Sequence, residues 1–204
     1  KRLRDMIELV LADTKIDMKK LDEEVIRFIK QNQTFVLELP QYGNLKIQVS
    51  KDDQDIPFFF DILDDVLAGN NVYLIGEAGG GKTYSAEMVA KKLKREISII
   101  NCSQYTSPTE IVGGQTINGY RDGKLIEAWR DGKVLILDEM PRLDPNTAGL
   151  FNDALAKSSH TRKPQDALIN STNPQNPPIP RNNNFALIAT GNVYPNTKPP
   201  QQYK

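Results

Sequence analysis

The stretch Gly76-Glu77-Ala78-Gly79-Gly80-Gly81-Lys82-Thr83 constrains this chain most, because it matches G-x-x-x-x-G-K-[ST], the phosphate-cradling P-loop. Its flanks have the required character. Asn71-Val72-Tyr73-Leu74-Ile75 is an apolar run of buried-strand type, and Ala86, Val89, Ala90 and Leu93 recur afterwards at helical spacing. Strand, loop and helix are therefore expected in that order. Glycines let backbone N–H groups turn inward around a phosphate, and the following helix adds its partial positive charge. Lys82 is expected to reach the β- and γ-phosphates, Thr83 to offer its hydroxyl to a magnesium ion, and Tyr84 to complete the binding stretch. The plain alternative is a Gly-rich turn that caps a helix; the full spacing, both flanks and the Lys-Thr pair count against it.

Composition narrows the partners. Lys and Arg number 26 and Asp and Glu 26, so no net field pulls the chain onto nucleic acid or anionic lipid. The single cysteine, Cys102, excludes an internal disulfide, and with the lone His160 it leaves no Cys/His metal cluster. Cys102 reads as a buried strand residue in a reducing cytoplasm. No apolar run approaches the roughly 20 residues of a membrane span, and no signal-peptide core opens the chain. A soluble, cytoplasmic protein with no membrane partner is expected. Its start at Lys1 rather than Met reads as the trimming of a larger product.

Ahead of the P-loop, Leu3, Met6, Ile7 and Val10 share one helical face, and Leu21, Val25, Phe28 and Ile29 another. Phe35, Leu37 and Leu39 alternate, as do Leu45, Ile47 and Val49, around the turn-forming Gln41-Tyr42-Gly43-Asn44. Residues 1–53 thus read as a small α+β module that docks on the next domain or binds a partner, and 54–204 as the nucleotide-binding core. Asp55 is expected to cap a helix with Pro57 in its first turn, running through Ile62, Leu63, Val66 and Leu67 to a stop at Gly69. Further apolar runs at Ile97-Ser98-Ile99-Ile100, Val134-Leu135-Ile136-Leu137 and Phe185-Ala186-Leu187-Ile188-Ala189 alternate with helical segments. That pattern indicates an α/β fold, a parallel sheet covered by helices on both faces. Asp144-Pro145 opens a helix with Leu150, Phe151, Ala154 and Leu155 on its apolar side, and 157–184 reads as a long polar loop.

Lys133-Val134-Leu135-Ile136-Leu137-Asp138-Glu139 is an apolar strand ending in two carboxylates, the form of a Walker B element. Asp138 is assigned to the magnesium ion and Glu139 to deprotonation of the attacking water. Leu125 and Trp129, four apart on a helix, read as core packing. Arg162, Lys163 and Arg181 would suit a nucleic acid or an acidic partner, and equally a solvated surface.

Phe185 to Asn192, a strand ending in an amide, resembles sensor 1 of the AAA+ ATPases, in which the strand lies beside the P-loop strand and the Asn positions water near the γ-phosphate. Thr106-Ser107-Pro108-Thr109-Glu110-Ile111-Val112-Gly113-Gly114, Gly119-Tyr120 and Gly123-Lys124-Leu125-Ile126-Glu127-Ala128 precede the Walker B strand. With them the chain resembles the MoxR-type AAA+ group, which includes the cobaltochelatase ATPase subunit, the motor of a restriction system and many phage ATPases. The resemblance implies an AAA+ P-loop NTPase fold, ATP and Mg2+ as ligands, and a bacterial or phage source. It also implies a homo-oligomer, a hexameric ring closed through the nucleotide site, acting on a protein substrate or adaptor. Segments 116–124 and 157–184 occupy the places of that group's insertions, the first facing the ring pore. Asn101 occupies the place of a polar residue that restrains the catalytic Glu. The arginine finger, sensor 2 and lid of the family have no counterpart before Lys204, so this segment is expected to bind nucleotide better than it hydrolyses it. A DNA-acting motor and a nucleotide-gated assembly protein are the alternatives.

Overall fold

The computed structural model describes residues 34–39, 45–50, 53, 56–157, 167–170, 172–173, 175 and 178–192. The helices expected over 3–10 and 21–29, the turn at 41–44, and Asp55, His160, Arg162 and Lys163 lie outside them. Strands β1 (Thr34–Leu39) and β2 (Leu45–Ser50) form the expected antiparallel pair, with Leu37 opposite Ile47 and Leu39 opposite Leu45. Helix α1 (Phe59–Ala68) stops at Gly69, whose φ of 82° suits a residue without Cβ. Its start differs from expectation. Phe58 is the N-cap, in the left-handed region at φ 58°, so Pro57 precedes the helix instead of opening it. The Phe59 N–H already turns back to the Ile56 carbonyl at 3.3 Å, and the helical path begins only after that turn.

The chain continues through β3 (Val72–Gly76), α2 (Lys82–Lys92), β4 (Ile97–Asn101), α3 (Pro108–Val112), β5 (Gly113–Thr116), β6 (Gly119–Asp122), α4 (Lys124–Asp131) and β7 (Val134–Asp138). After a 3-10 turn at Met140–Arg142 come α5 (Pro145–Ala148), a second such turn at Gly149–Phe151, α6 (Asn152–Ala156) and β8 (Ala186–Asn192). The single helix expected from Asp144 is therefore broken. Asp144 does cap it, accepting the Thr147 N–H at 3.0 Å. The tighter turn at Gly149 then shifts the helical phase: Phe151 and Ala154 are buried, while Leu155 sits on the rim at 36% exposure.

The four strands β3, β4, β7 and β8 make one parallel sheet in the order β3-β8-β7-β4. Strand side chains alternate between faces, and that alternation sorts the core in two. Val134, Ile136, Ala186 and Ile188 pack with α1, α2 and the β1–β2 hairpin; Leu135, Leu137, Leu187 and Ala189 pack with Ile111, Trp129 and Phe151. The hairpin contributes Leu39, Ile47 and Val49 to the first cluster, and Asp53 pairs with Lys92 at 2.5 Å beside them.

Segment 116–124 contains most of the antiparallel β5–β6 hairpin, with Ile117 fully exposed at its tip. The described part of 157–184 closes on itself through Leu168 and Ile179, which exchange backbone hydrogen bonds of 2.8 Å. Trp129 is buried, as its spacing indicated, and donates its indole N–H to the Ile179 carbonyl at 2.9 Å. Arg181 stacks over the Trp129 and Phe185 rings, with its guanidinium carbon 5.5 and 5.2 Å from the centroids, so it is folded against the core. Asn170 and Thr172 both meet the Tyr120 hydroxyl, at 2.6 and 2.8 Å, and tie this loop to the β5–β6 hairpin. Among the described residues no helix is long and apolar enough to cross a membrane.

Candidate functional site

Parallel strands end together, and ligands of such sheets sit at the carboxyl ends. Here the register places Gly76 beside Asn192 and Asn101 beside Asp138, so one rim of the sheet carries the P-loop and the polar strand ends. A cleft of about 190 Å³ opens there, lined by Ala78 to Tyr84, Asp138, Glu139, Thr190 and Asn192. Its floor is the loop between β3 and α2. The Gly80 N–H turns back to the Glu77 carbonyl at 3.2 Å, and Gly81 caps α2 at φ 74°, a backbone state that residues with a Cβ avoid. The first turn of α2 therefore faces the cleft with its free N–H groups.

Lys82 is 8% exposed, an unusual burial for lysine. Its Nζ donates to the Gly76 carbonyl at 3.0 Å, the Glu77 carbonyl at 2.7 Å and Asn192 Oδ1 at 3.0 Å. All three acceptors are neutral, and no carboxylate among the described residues lies within ion-pair distance of it. The charge is therefore solvated by dipoles and not cancelled. Gly76 and Glu77 serve the site through these carbonyls, while Ala78, Gly79, Gly80, Gly81 and the half-exposed Tyr84 line the cleft directly.

Thr83 Oγ1 donates to Asp138 Oδ1 at 2.5 Å. A hydroxyl and one carboxylate side by side are the donor set magnesium takes when phosphates and water complete its octahedron, so these residues fit that ion. Thr190, which the sequence reading did not single out, is 1% exposed and donates to the same Asp138 oxygen at 2.8 Å. Its hydroxyl also accepts the Glu139 N–H at 3.0 Å, so one side chain aligns both carboxylate residues.

Glu139 lies in the left-handed region at φ 53°, a state costing roughly 1 kcal/mol for a residue with a Cβ. Its Oε1 accepts the Asn192 amide at 3.0 Å, and its Oε2 pairs with Arg142 at 2.6 Å. The site residues read from the sequence thus meet in one cleft, joined by Asn192 from Lys82 to Glu139. Asn101 is the exception. It is exposed, its carbonyl accepts from Thr106 at 3.3 Å, and its side chain does not restrain Glu139; Asn192 and Arg142 hold that carboxylate instead. Cys102 follows β4, where burial, then the charges of Asp138 and Glu110, push its thiol up to about 12, so it stays protonated and inert.

The family model described as AAA domain (dynein-related subfamily) matches residues 71–202, a span that contains every residue of the cleft. An uncharacterised protein of Staphylococcus saprophyticus is 30% identical over 112 residues, covering 50% of this chain and 43% of its own length. The uncharacterised YojN of Bacillus subtilis is 27% identical over 124 residues, 57% of this chain and 41% of its own. The chain spans less than half the length of these curated relatives. A crystal structure of a candidate ATPase from Cytophaga hutchinsonii superposes with a TM-score of 0.49 at 16% identity, over 71% of this chain and 40% of that one.

Proposed function

The chain belongs to the AAA domain family of the dynein-related type, and from that premise we propose that it is the nucleotide-binding core of an ATP-driven ring motor of MoxR type that remodels a protein or complex. The observation that carries this reading is Lys82, a buried cation held among the described residues by neutral oxygens alone, beside the Thr83–Asp138 pair. An incoming triphosphate would take over Lys82 from the carbonyls and Asn192, and gain the N–H groups of the first turn of α2. Thr83 and Asp138 would hold Mg2+, which when bound neutralises charge on the β- and γ-phosphates. Glu139 would accept the proton of the attacking water as the bond to the γ-phosphorus forms and the bond to the β–γ bridging oxygen breaks. ADP and phosphate leave. Asn192, already in contact with both Lys82 and Glu139, would place that water.

We read the hexameric ring, the cytoplasmic location and a cation supplied across the subunit interface in the same way. Such a cation is worth about 10³–10⁵ in turnover. Residues 1–53 would form a separate module, coupled to the core through the hairpin packed on α2. The test is steady-state hydrolysis of ATP and GTP by the full-length protein over a range of concentrations, with Glu139→Gln as control. Turnover per subunit that climbs with concentration and drops by about 10²–10⁴ in Glu139→Gln is expected. Tight nucleotide binding with no Glu139-dependent turnover at any concentration would replace the motor with a nucleotide-gated assembly protein.

A further inference from the structure

Both oxygens of the Glu139 carboxylate have a holder, and only one of these holders lies in the cleft. Asn192 donates to Oε1 at 3.0 Å, while Oε2 meets Arg142 at 2.6 Å. The approach of Arg142 is built into the backbone. Glu139 turns left-handed at the end of β7, the Arg142 N–H returns to the Glu139 carbonyl at 2.8 Å, and the Leu143 N–H to the Met140 carbonyl at 3.0 Å. Leu143, 1% exposed, pins the end of this turn in the core. Arg142 itself is half exposed, with 54% of its side chain in solvent, so packing does not require it.

As a stability element this pair is worth little, since exposed i,i+3 ion pairs contribute a few tenths of a kcal/mol. Its effect is geometric. A carboxylate gripped at one oxygen can swing about its terminal torsion, whereas one gripped at both is fixed in plane and direction. A reacting group misplaced by about 1 Å can lose up to 10²-fold in rate.

We infer that Arg142 is a positioning residue for hydrolysis: by holding Glu139 Oε2 it keeps Oε1 on Asn192 and the carboxylate aimed into the cleft. The inference rests on the proposed ATPase reading. Lys82, Asn192, Glu139 and Arg142 then form one continuous chain of contacts, anchored outside the cleft by Arg142.

The experiment uses the full-length protein with Arg142→Ala and Arg142→Lys, beside wild type and Glu139→Gln. Arg142→Ala is expected to lower kcat for ATP roughly tenfold or more with KM and melting temperature unchanged, and Arg142→Lys to regain most of the loss. In the nucleotide-free protein the Asn192 side-chain amide resonances should move in Arg142→Ala and return toward their wild-type positions in Arg142→Lys. Unchanged or raised kcat in Arg142→Ala, or an unmoved Asn192 amide, overturns the inference while Glu139-dependent turnover leaves the ATPase reading standing. Loss of Glu139-dependent turnover from wild type itself overturns both.

Discussion

Helix α2 has a lysine at each end, and the two are held in opposite ways. Lys82, at the amino end, donates to two backbone carbonyls and the Asn192 amide oxygen, with no carboxylate beside it among the described residues. Lys92, at the carboxyl end, meets the Asp53 carboxylate at 2.5 Å and the Gln48 carbonyl at 3.1 Å. Burial alone would raise the Asp53 carboxyl; the hydrogen-bonded Lys92 and the Ser50 N–H and O–H outweigh it and hold the group below its usual range. The same side chain therefore does two jobs. Paired with a carboxylate it closes a seam between the hairpin and the core; surrounded by neutral dipoles it keeps an uncompensated charge that an anion can claim.

The sharpest way to break this contrast is Lys82→Ala. It should weaken ATP binding by about 10³-fold, equivalent to about 4 kcal/mol, with little change in melting temperature, measured by titration calorimetry alongside thermal unfolding. Unchanged affinity would mean that the dipole-held lysine is structural after all. The converse substitution, Asp53→Asn, should leave ATP affinity alone and cost about 2–3 kcal/mol of stability at neutral pH, because Lys92 loses its counter-charge.

Its pH dependence has a definite sign. The folded-state value of Asp53 is depressed, so its contribution is complete above the unfolded value of about 3.9 and fades as pH falls through the lower folded value. Denaturant midpoints of wild type and Asp53→Asn should converge on acidification; a constant gap would remove the ion pair as the cause. The smallest effect belongs to Thr190→Val. It deletes the hydroxyl shared by Asp138 and the Glu139 N–H, should cost about 1–2 kcal/mol of stability, and should raise the magnesium concentration needed for tight ATP binding.

What was legible in the sequence was what is local in the chain. The P-loop spacing, the apolar runs that became β3, β4, β7 and β8, and the carboxylates and amide at strand ends are each written in consecutive residues. Thr190 was not, because its importance comes from contacts with Asp138 and Glu139 across a strand boundary, some 52 and 51 residues away in the chain. Arg142 is hidden for a different reason. Its reach depends on the left-handed turn at Glu139, and no residue type there announces a positive φ. The helix expected from Asp55 begins late because Phe58, equally unannounced, is also left-handed. Leu155 falls on the apolar side at a uniform period of 3.6, and the tight turn at Gly149 breaks that period.

The position of β8 has a consequence for how the molecule comes into being. This strand lies between β3 and β7, yet it is the last of the four to leave the ribosome. A nascent chain can pair β4 with β7 early, but among the described strands β3 has no partner in the sheet until 186–192 emerge, and the Lys82–Asn192 contact spans 110 residues. Such high contact order makes closure slow and leaves an open strand edge for chaperones to guard. Because Thr190 and Asn192 ride on that same strand, translation delivers the strand that joins β3 to β7 and two polar side chains of the cleft in a single step.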